Sequence, residues 1–146
     1  MNVDVQTETT IERPVDVVSA YAADPSNAPE WYANIESVEW QTLPPVGVGS
    51  KMTFVAHFLG RRLRYIYEIV EFSTGERIVM RTAQGPFPME TTYTWTSTAA
   101  ASTRMTLRNR GAPAGFSAIM APFMVPAMRR ANRKDLAKIK AILESR

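Results

Sequence analysis

The chain has 146 residues, of which 45% are hydrophobic and 21% charged, and this composition suits one globular domain spanning residues 1–146. It contains no cysteine, which excludes disulfides, thiolate metal sites and cysteine nucleophiles. The net charge of +3 is mild and gives only a weak preference for acidic partners. No apolar run is long enough to cross a bilayer and the first residues do not resemble a secretory signal, so we expect a cytoplasmic protein without stable membrane insertion.

The first third of the chain predicts a strand, two short helices and a second strand. Apolar and polar residues alternate over residues 3–11, as in a half-buried strand. Pro14 suits the first turn of a helix, because the amide hydrogen that proline lacks has no partner there. A second short helix or turn is predicted over residues 26–32, with Ser26 as its N-cap. Alternation over residues 35–40 then indicates the next strand.

The strongest local pattern is a hairpin, in which residues 51–59 and 62–72 flank Gly60. A glycine at the first central position of a two-residue loop favours a type II′ turn. Such a turn pairs Phe58 with Leu63 and places the large apolar side chains of both strands on one face. Agreement between the turn and the apolar pattern is the reason for predicting this register.

Three more strands are predicted around residues 77–82, 89–96 and 104–108. Each has one apolar and one polar face, which is typical of an antiparallel sheet with one face in contact with water. The order is therefore a strand, two short helices, six strands and a long helix. This order predicts an α+β domain in which one sheet is covered by the final helix.

The tail over residues 116–143 has the periodicity of an amphipathic helix. We expect Pro122 and Pro126 to break or kink it, with a regular helix from about Ala127. The basic residues of this helix lie mostly opposite its apolar sector and carry no interleaved aromatic residues. We therefore interpret them as a solvated face rather than a nucleic-acid or membrane site: Arg129, Arg130, Arg133, Lys134, Lys138 and Lys140.

Four short motifs carry a resemblance to a known family. They are Ile-Glu-Arg-Pro-Val at 11–15, Pro-Glu-Trp-Tyr at 29–32, Val-Gly-Val-Gly-Ser at 46–50 and the final helix over 135–144. Over nearly its whole length the chain resembles the START-like (SRPBCC) superfamily, specifically the bacterial polyketide cyclase/dehydrase and lipid-transport branch. The resemblance implies a helix-grip fold, in which a curved seven-stranded antiparallel sheet wraps around the long C-terminal helix and encloses a cavity. Members range from lipid carriers to aromatase/cyclases, so the fold leaves the chemistry open.

Large aromatic and methionine side chains recur on the inward face of the predicted sheet and on the facing helix. Buried tyrosines and tryptophans need partners for their polar ends, and methionine adapts to irregular ligands, so the set suggests a small-molecule pocket. Ordinary core packing is the alternative for each residue. Trp31 and Tyr32 lie either at the pocket entrance or in a plug that closes the sheet edge. The candidate ligand-binding residues are Trp31, Tyr32, Phe54, Phe58, Tyr65, Tyr67, Met80, Tyr93, Trp95, Met105, Met120, Met124 and Met128.

Three polar residues need separate interpretation. His57 is the single histidine, and the predicted hairpin places it opposite Arg64 on the outer face, so we expect a surface role. Asn132 and Asp135 fall inside the apolar sector of the final helix and could face the cavity. We expect instead that a kink at Pro126 shifts the helical phase and leaves both at the solvent boundary.

These observations leave more than one function open. The leading hypothesis is binding or transport of a hydrophobic small molecule, such as a lipid, a polyketide or an aromatic compound, by a monomer or homodimer without cofactor, metal or nucleic acid. We assign no catalytic residue. The alternative is an aromatase/cyclase or dehydratase that acts mainly by positioning, with Tyr65, Tyr67, Tyr93 and Asp135 as the groups able to move protons. A partner-binding module of the same fold would need an exposed apolar patch. Polar side chains converging in the cavity would favour the enzyme.

Overall fold

The computed structural model describes residues 3–58, 60–84, 88–112 and 121–146. The elements follow the predicted order. They are β1 (Val3–Ile11), α1 (Val15–Ala23), a 3₁₀ turn (Pro25–Asn27), α2 (Ala28–Trp31), β2 (Ile35–Trp40), β3 (Lys51–Phe58), β4 (Arg61–Ser73), β5 (Arg77–Gln84), β6 (Met89–Ala99), β7 (Ser102–Gly111) and α3 (Ala121–Glu144). No helix within these ranges is long and apolar enough to cross a membrane.

The seven strands form one antiparallel sheet in the order β1-β7-β6-β5-β4-β3-β2. The first two strands of the chain therefore lie at opposite edges, and α1 and α2 cover the distance between them. The inner face of the curved sheet packs against α3 and forms the core, which includes Ile69, Ile78, Met105 and Leu107 from the strands and Leu136, Ile139 and Leu143 from the helix. This arrangement confirms the predicted helix-grip fold.

The start of the 3₁₀ turn differs from the prediction, because Ser26 is not its cap. The carboxylate of Asp24 accepts a hydrogen bond from the Ser26 amide at 3.0 Å, so Asp24 caps the turn. The Ser26 hydroxyl instead accepts a hydrogen bond from the indole of Trp40 at 2.9 Å. Asp24 precedes Pro25, whose fixed φ suits the first helical position, and the turn therefore begins earlier than the serine suggests.

The hairpin of β3 and β4 is present, but its predicted register is wrong by two residues. Ala56 pairs with Leu63, whereas Phe58 pairs with Arg61. Gly60 has a φ of 77° and occupies the second central position of the turn, where type II and type I′ turns need a positive φ. Because side chains alternate with a period of two, a shift of two residues keeps each side chain on its predicted face.

The final helix is continuous through Pro126 from Ala121 onward, so the predicted break before Ala127 is wrong. Proline at this position removes one hydrogen bond, to the carbonyl of Pro122, close to the start of the described helix. The predicted start near Phe116 lies outside the described residues. Packing of the remaining turns against the sheet outweighs the loss of one bond, because the stability of a helix in a protein comes mostly from its packed apolar face.

The C-terminal end of α3 is tied to the corner between β1 and α1. The carboxylate of Glu144 accepts a hydrogen bond from the Glu12 amide at 2.8 Å, and Lys140 donates to the backbone carbonyl of Thr10. The guanidinium of Arg13 donates to the Glu144 carbonyl at 2.7 Å. These contacts satisfy polar groups at the end of the helix and fix its position on the sheet.

Candidate functional site

A cavity of about 130 Å³ lies between the inner face of the sheet and α3. Its walls come from β3 to β7 and from the middle of the helix, with Tyr32 and Ile35 closing one side. Eight of the predicted ligand-binding residues line it together: Tyr32, Phe54, Phe58, Tyr65, Tyr67, Met80, Tyr93 and Met128. The inward alternation of the strands therefore brings most of the candidate residues to one space, as the sequence predicts.

The other candidates lie elsewhere. Trp31, Trp95, Met105 and Met124 are buried and do not border this cavity. Met120 lies outside the described residues. Trp31 is fully buried, and its ring centroid lies 4.2 Å from that of Tyr32. It therefore occupies the position of a plug beneath the cavity wall rather than an entrance rim.

A chain of hydrogen bonds links β4, β6, β7 and α3 at one side of the cavity. The hydroxyls of Tyr67 and Thr91 lie 2.8 Å apart, and Thr91 donates to the side-chain oxygen of Asn109 at 2.5 Å. The amide of Asn109 in turn donates to the side-chain oxygen of Asn132 at 3.2 Å. All four residues line the cavity, so a polar strip interrupts its apolar wall.

The tyrosine hydroxyls of the cavity stay protonated. The Tyr32 and Tyr93 hydroxyls share a short hydrogen bond. Burial raises the pKa of Tyr67 to about 12 and holds the pKa values of Tyr32, Tyr65 and Tyr93 well above their ordinary value. A neutral phenol in an apolar setting can donate a hydrogen bond but does not act as a base near neutral pH.

Asn132 and Asp135 face the cavity, and the expectation that they lie at the solvent boundary is wrong. Asn132 is 4% exposed and Asp135 is 2% exposed. Because the helix continues through Pro126, its phase does not shift and both residues stay in the apolar sector. The helical periodicity, which places both residues in the apolar sector, therefore predicts their position correctly.

Asp135 is the carboxylic acid of the site. One of its oxygens accepts a hydrogen bond from the Ala33 amide at 2.8 Å. Burial raises the pKa of Asp135 to about 6, although the bond from Ala33 and the nearby Lys134 and Lys138 lower it. A carboxyl group with such a pKa is present in both protonation states near neutral pH, as a proton-transferring group must be.

A family model described as polyketide cyclase/dehydrase and lipid transport matches residues 2–144. The chain belongs to this family. The match covers nearly the whole chain and confirms the resemblance that the sequence motifs carry. A search of the curated proteins found no significant relative.

Several solved structures share the fold of this chain at low sequence identity. The aromatase/cyclase Zhui from Streptomyces has a TM-score of 0.82 and 15% identity, over 100% of this chain and 96% of that one. A Thermus thermophilus protein has a TM-score of 0.80 and 20% identity, over 95% of each chain. A START superfamily protein from Mycobacterium smegmatis has a TM-score of 0.73 and 13% identity, over 97% of this chain and 94% of that one. At these identities the likenesses establish the fold.

The histidine of this polyketide cyclase/dehydrase family member, His57, is largely exposed. Its side chain is 58% exposed, and its imidazole lies 2.9 Å from the Glu36 carboxylate at the edge of the cavity. It pairs with Arg62 in the strand register, not with Arg64 as predicted. Across the described ranges, no three histidine or acidic side chains are placed to hold a metal ion.

The raised pKa of Asp135 predicts a pH-dependent effect on stability. The folded state holds this proton up to about pH 6, whereas the unfolded chain releases it near 3.8. The unfolded chain therefore loses this proton more readily than the folded protein, and the free energy of unfolding of wild type falls as the pH rises from about 3.8 to about 6. The stability of D135N relative to wild type should increase by about 2–3 kcal/mol between pH 3.5 and pH 7. Urea unfolding of both proteins at the two pH values measures this, and a pH-independent difference would contradict it.

Proposed function

We propose that the protein binds a mainly apolar small molecule in the cavity between the sheet and α3. The observation that carries the proposal is the cavity itself, whose wall is mostly aromatic and aliphatic with a few polar groups. Small-molecule sites have this composition, because apolar burial supplies affinity and a few polar groups fix orientation. The family description, which includes cyclases and lipid carriers, supports the same class of ligand.

The size of the cavity favours a small ligand. Its volume of about 130 Å³ is close to the ~150 Å³ of an engineered protein cavity that takes up benzene. A single aromatic ring, or a short chain folded to that size, fits this space without rearrangement. An extended lipid needs more room, so among the ligand classes considered from the sequence we favour an aromatic or compact cyclic compound.

Filling the cavity should weaken binding strongly. Ala131 lines it from α3, so A131F places a phenyl ring where the ligand would lie. We expect the affinity for acetophenone to fall at least about tenfold, since the ring removes the space that the probe occupies. Isothermal titration calorimetry measures the effect.

A matched control distinguishes a blocked cavity from a disturbed helix. Ala137 lies on the exposed side of α3, so A137F adds the same ring outside the cavity and should leave the affinity unchanged. Equal loss of binding in A131F and A137F would contradict the cavity as the binding site. Native mass spectrometry of the purified wild type, followed by organic extraction, tests whether a natural ligand co-purifies.

A second candidate function is cyclisation or dehydration of a poly-ketone, and Asp135 favours it. One of its oxygens is held by Ala33, and the acid titrates close to neutral pH. The Asp135 carboxylate would remove a proton from a carbon between two carbonyls, and that carbon would bond to a third carbonyl of the same chain. The carbonyl oxygen would then take up the proton from Asp135 to give a hydroxyl, which can later leave as water together with a neighbouring hydrogen. The tyrosine hydroxyls would stabilise the charge that develops on oxygen.

A further inference from the structure

The hydroxyl of Tyr65 differs from the other tyrosine hydroxyls of the cavity. Those of Tyr32 and Tyr93 bond to each other, and that of Tyr67 bonds to Thr91. Within the part of the chain that the structure describes, the Tyr65 hydroxyl has no hydrogen-bond partner. This hydroxyl is therefore available to donate a hydrogen bond to a molecule that enters the cavity, whereas the other tyrosine hydroxyls already have partners.

Tyr65 is held in place by its ring rather than by its hydroxyl. The ring lies 5.1 Å from that of Tyr67 and 6.1 Å from that of Phe54, measured between centroids. Among the described residues, three side-chain polar atoms are inaccessible to solvent and have no hydrogen-bond partner. They belong to Trp31, Trp95 and Asn132. The Tyr65 hydroxyl is not one of them, and since the residue is half-buried and lines the cavity, its polar end is reachable from there.

The electrostatics of the cavity select a neutral ligand. No lysine or arginine is present among the described residues that line it, and the bordering His57 is paired with Glu36. Asp135 adds a carboxylate that is mostly ionised above pH 6. A ligand carboxylate would therefore be buried without a counter-ion and close to a like charge, which is costly. A carbonyl oxygen accepts a hydrogen bond without this cost.

We propose that Tyr65 determines ligand specificity by donating a hydrogen bond to the oxygen of a neutral carbonyl compound bound in the cavity. The inference rests on the proposed binding function and narrows its ligand class from apolar molecules in general to neutral, oxygen-bearing ones. Burial keeps the Tyr65 phenol protonated over the physiological pH range, so it remains a donor. Anionic ligands such as free fatty acids or aromatic acids fall outside the class.

The test compares two probes of nearly identical shape. Acetophenone carries a carbonyl oxygen at the position where α-methylstyrene carries a methylene group. The ratio of their affinities therefore measures the contribution of the oxygen to binding. In Y65F we expect acetophenone to bind about three- to tenfold more weakly than in wild type, with α-methylstyrene unchanged. Y21F is the matched control: it also removes one tyrosine hydroxyl, but one that bonds to Glu30 and does not border the cavity. Its acetophenone-to-α-methylstyrene ratio should equal that of wild type.

A spectroscopic readout separates recognition from a structural role. The carbonyl stretch of bound acetophenone should lie at lower wavenumber in wild type and Y21F than in Y65F, because a donated hydrogen bond weakens the C=O bond. An unchanged affinity ratio and stretch in Y65F would overturn the inference while leaving the binding function intact. Benzoate binding as tightly as acetophenone at pH 8 would overturn the restriction to neutral ligands. If neither acetophenone nor α-methylstyrene binds wild type, the proposed function fails and the inference fails with it.

Discussion

D135N is expected to slow cyclisation of a poly-ketone by about 100- to 10,000-fold under the cyclase hypothesis. The amide keeps the shape of the carboxyl group and can still accept the hydrogen bond from Ala33, but it cannot take up a proton from carbon. The affinity for acetophenone should stay within about threefold of wild type, because the substitution removes no wall of the cavity. Single-turnover kinetics with a poly-ketone thioester measure the rate, and calorimetry measures the affinity.

The pH profile gives an independent check on the same residue. A general base with a pKa of about 6 should make the wild-type rate rise with pH and level off above that value. D16N is a suitable control, since Asp16 lies in the first turn of α1 and not on the cavity wall. A wild type without turnover would reject the cyclase hypothesis and leave the binding role. Full turnover in D135N would show that another group moves the proton.

W31A is expected to lower the free energy of unfolding by about 3–5 kcal/mol. Trp31 is fully buried, its ring lies 4.2 Å from Tyr32 and 5.6 Å from Tyr93 by centroid distance, and its removal leaves a void that these rings cannot fill. Urea denaturation followed by circular dichroism measures the loss. The proposed wall residue Tyr32 should also become more mobile, because the ring that supports it is gone.

Two control variants show which property of Trp31 matters. W31F should lower the free energy of unfolding much less than W31A does, because phenylalanine keeps most of the apolar volume. It also removes an indole nitrogen that is buried without a hydrogen-bond partner among the described residues. W40A should also cost less, because Trp40 is only half-buried in β2. A loss below about 1 kcal/mol in W31A would mean that the residue is accessible in solution and favour the entrance interpretation.

Most of the fold could be predicted from the sequence, because the inward face of each strand is set by alternation and does not depend on the exact turn. The β3–β4 hairpin illustrates this. Gly60 suits either central position of a two-residue turn; the prediction placed it at the first, whereas it occupies the second. The two registers differ by two residues, so both place Tyr65 and Tyr67 on the inner face. The face was therefore predictable, while the pairing was not.

The polar part of the site was harder to predict, since it depends on contacts between distant segments. The interpretation of Asn132 and Asp135 relied on a shift in helical phase at Pro126, whereas α3 is continuous through this residue. The bond between Asp135 and the Ala33 amide joins α3 to the loop after α2, and no local pattern encodes such a pairing. The same holds for the hydrogen bond between the Tyr32 and Tyr93 hydroxyls, since Tyr32 follows α2 and Tyr93 lies in β6.

The anchoring of α3 at its far end separates the attachment of the helix from the shape of the cavity. Lys140 and Glu144 secure the helix to the β1–α1 corner, whereas Met128 and Ala131 contribute to the cavity wall two to four turns earlier. The segment that holds the helix in place is thus separate in sequence from the segment that shapes the cavity. Substitutions at Met128 or Ala131 can therefore change the shape of the cavity while the hydrogen bonds that attach the helix to the β1–α1 corner stay in place.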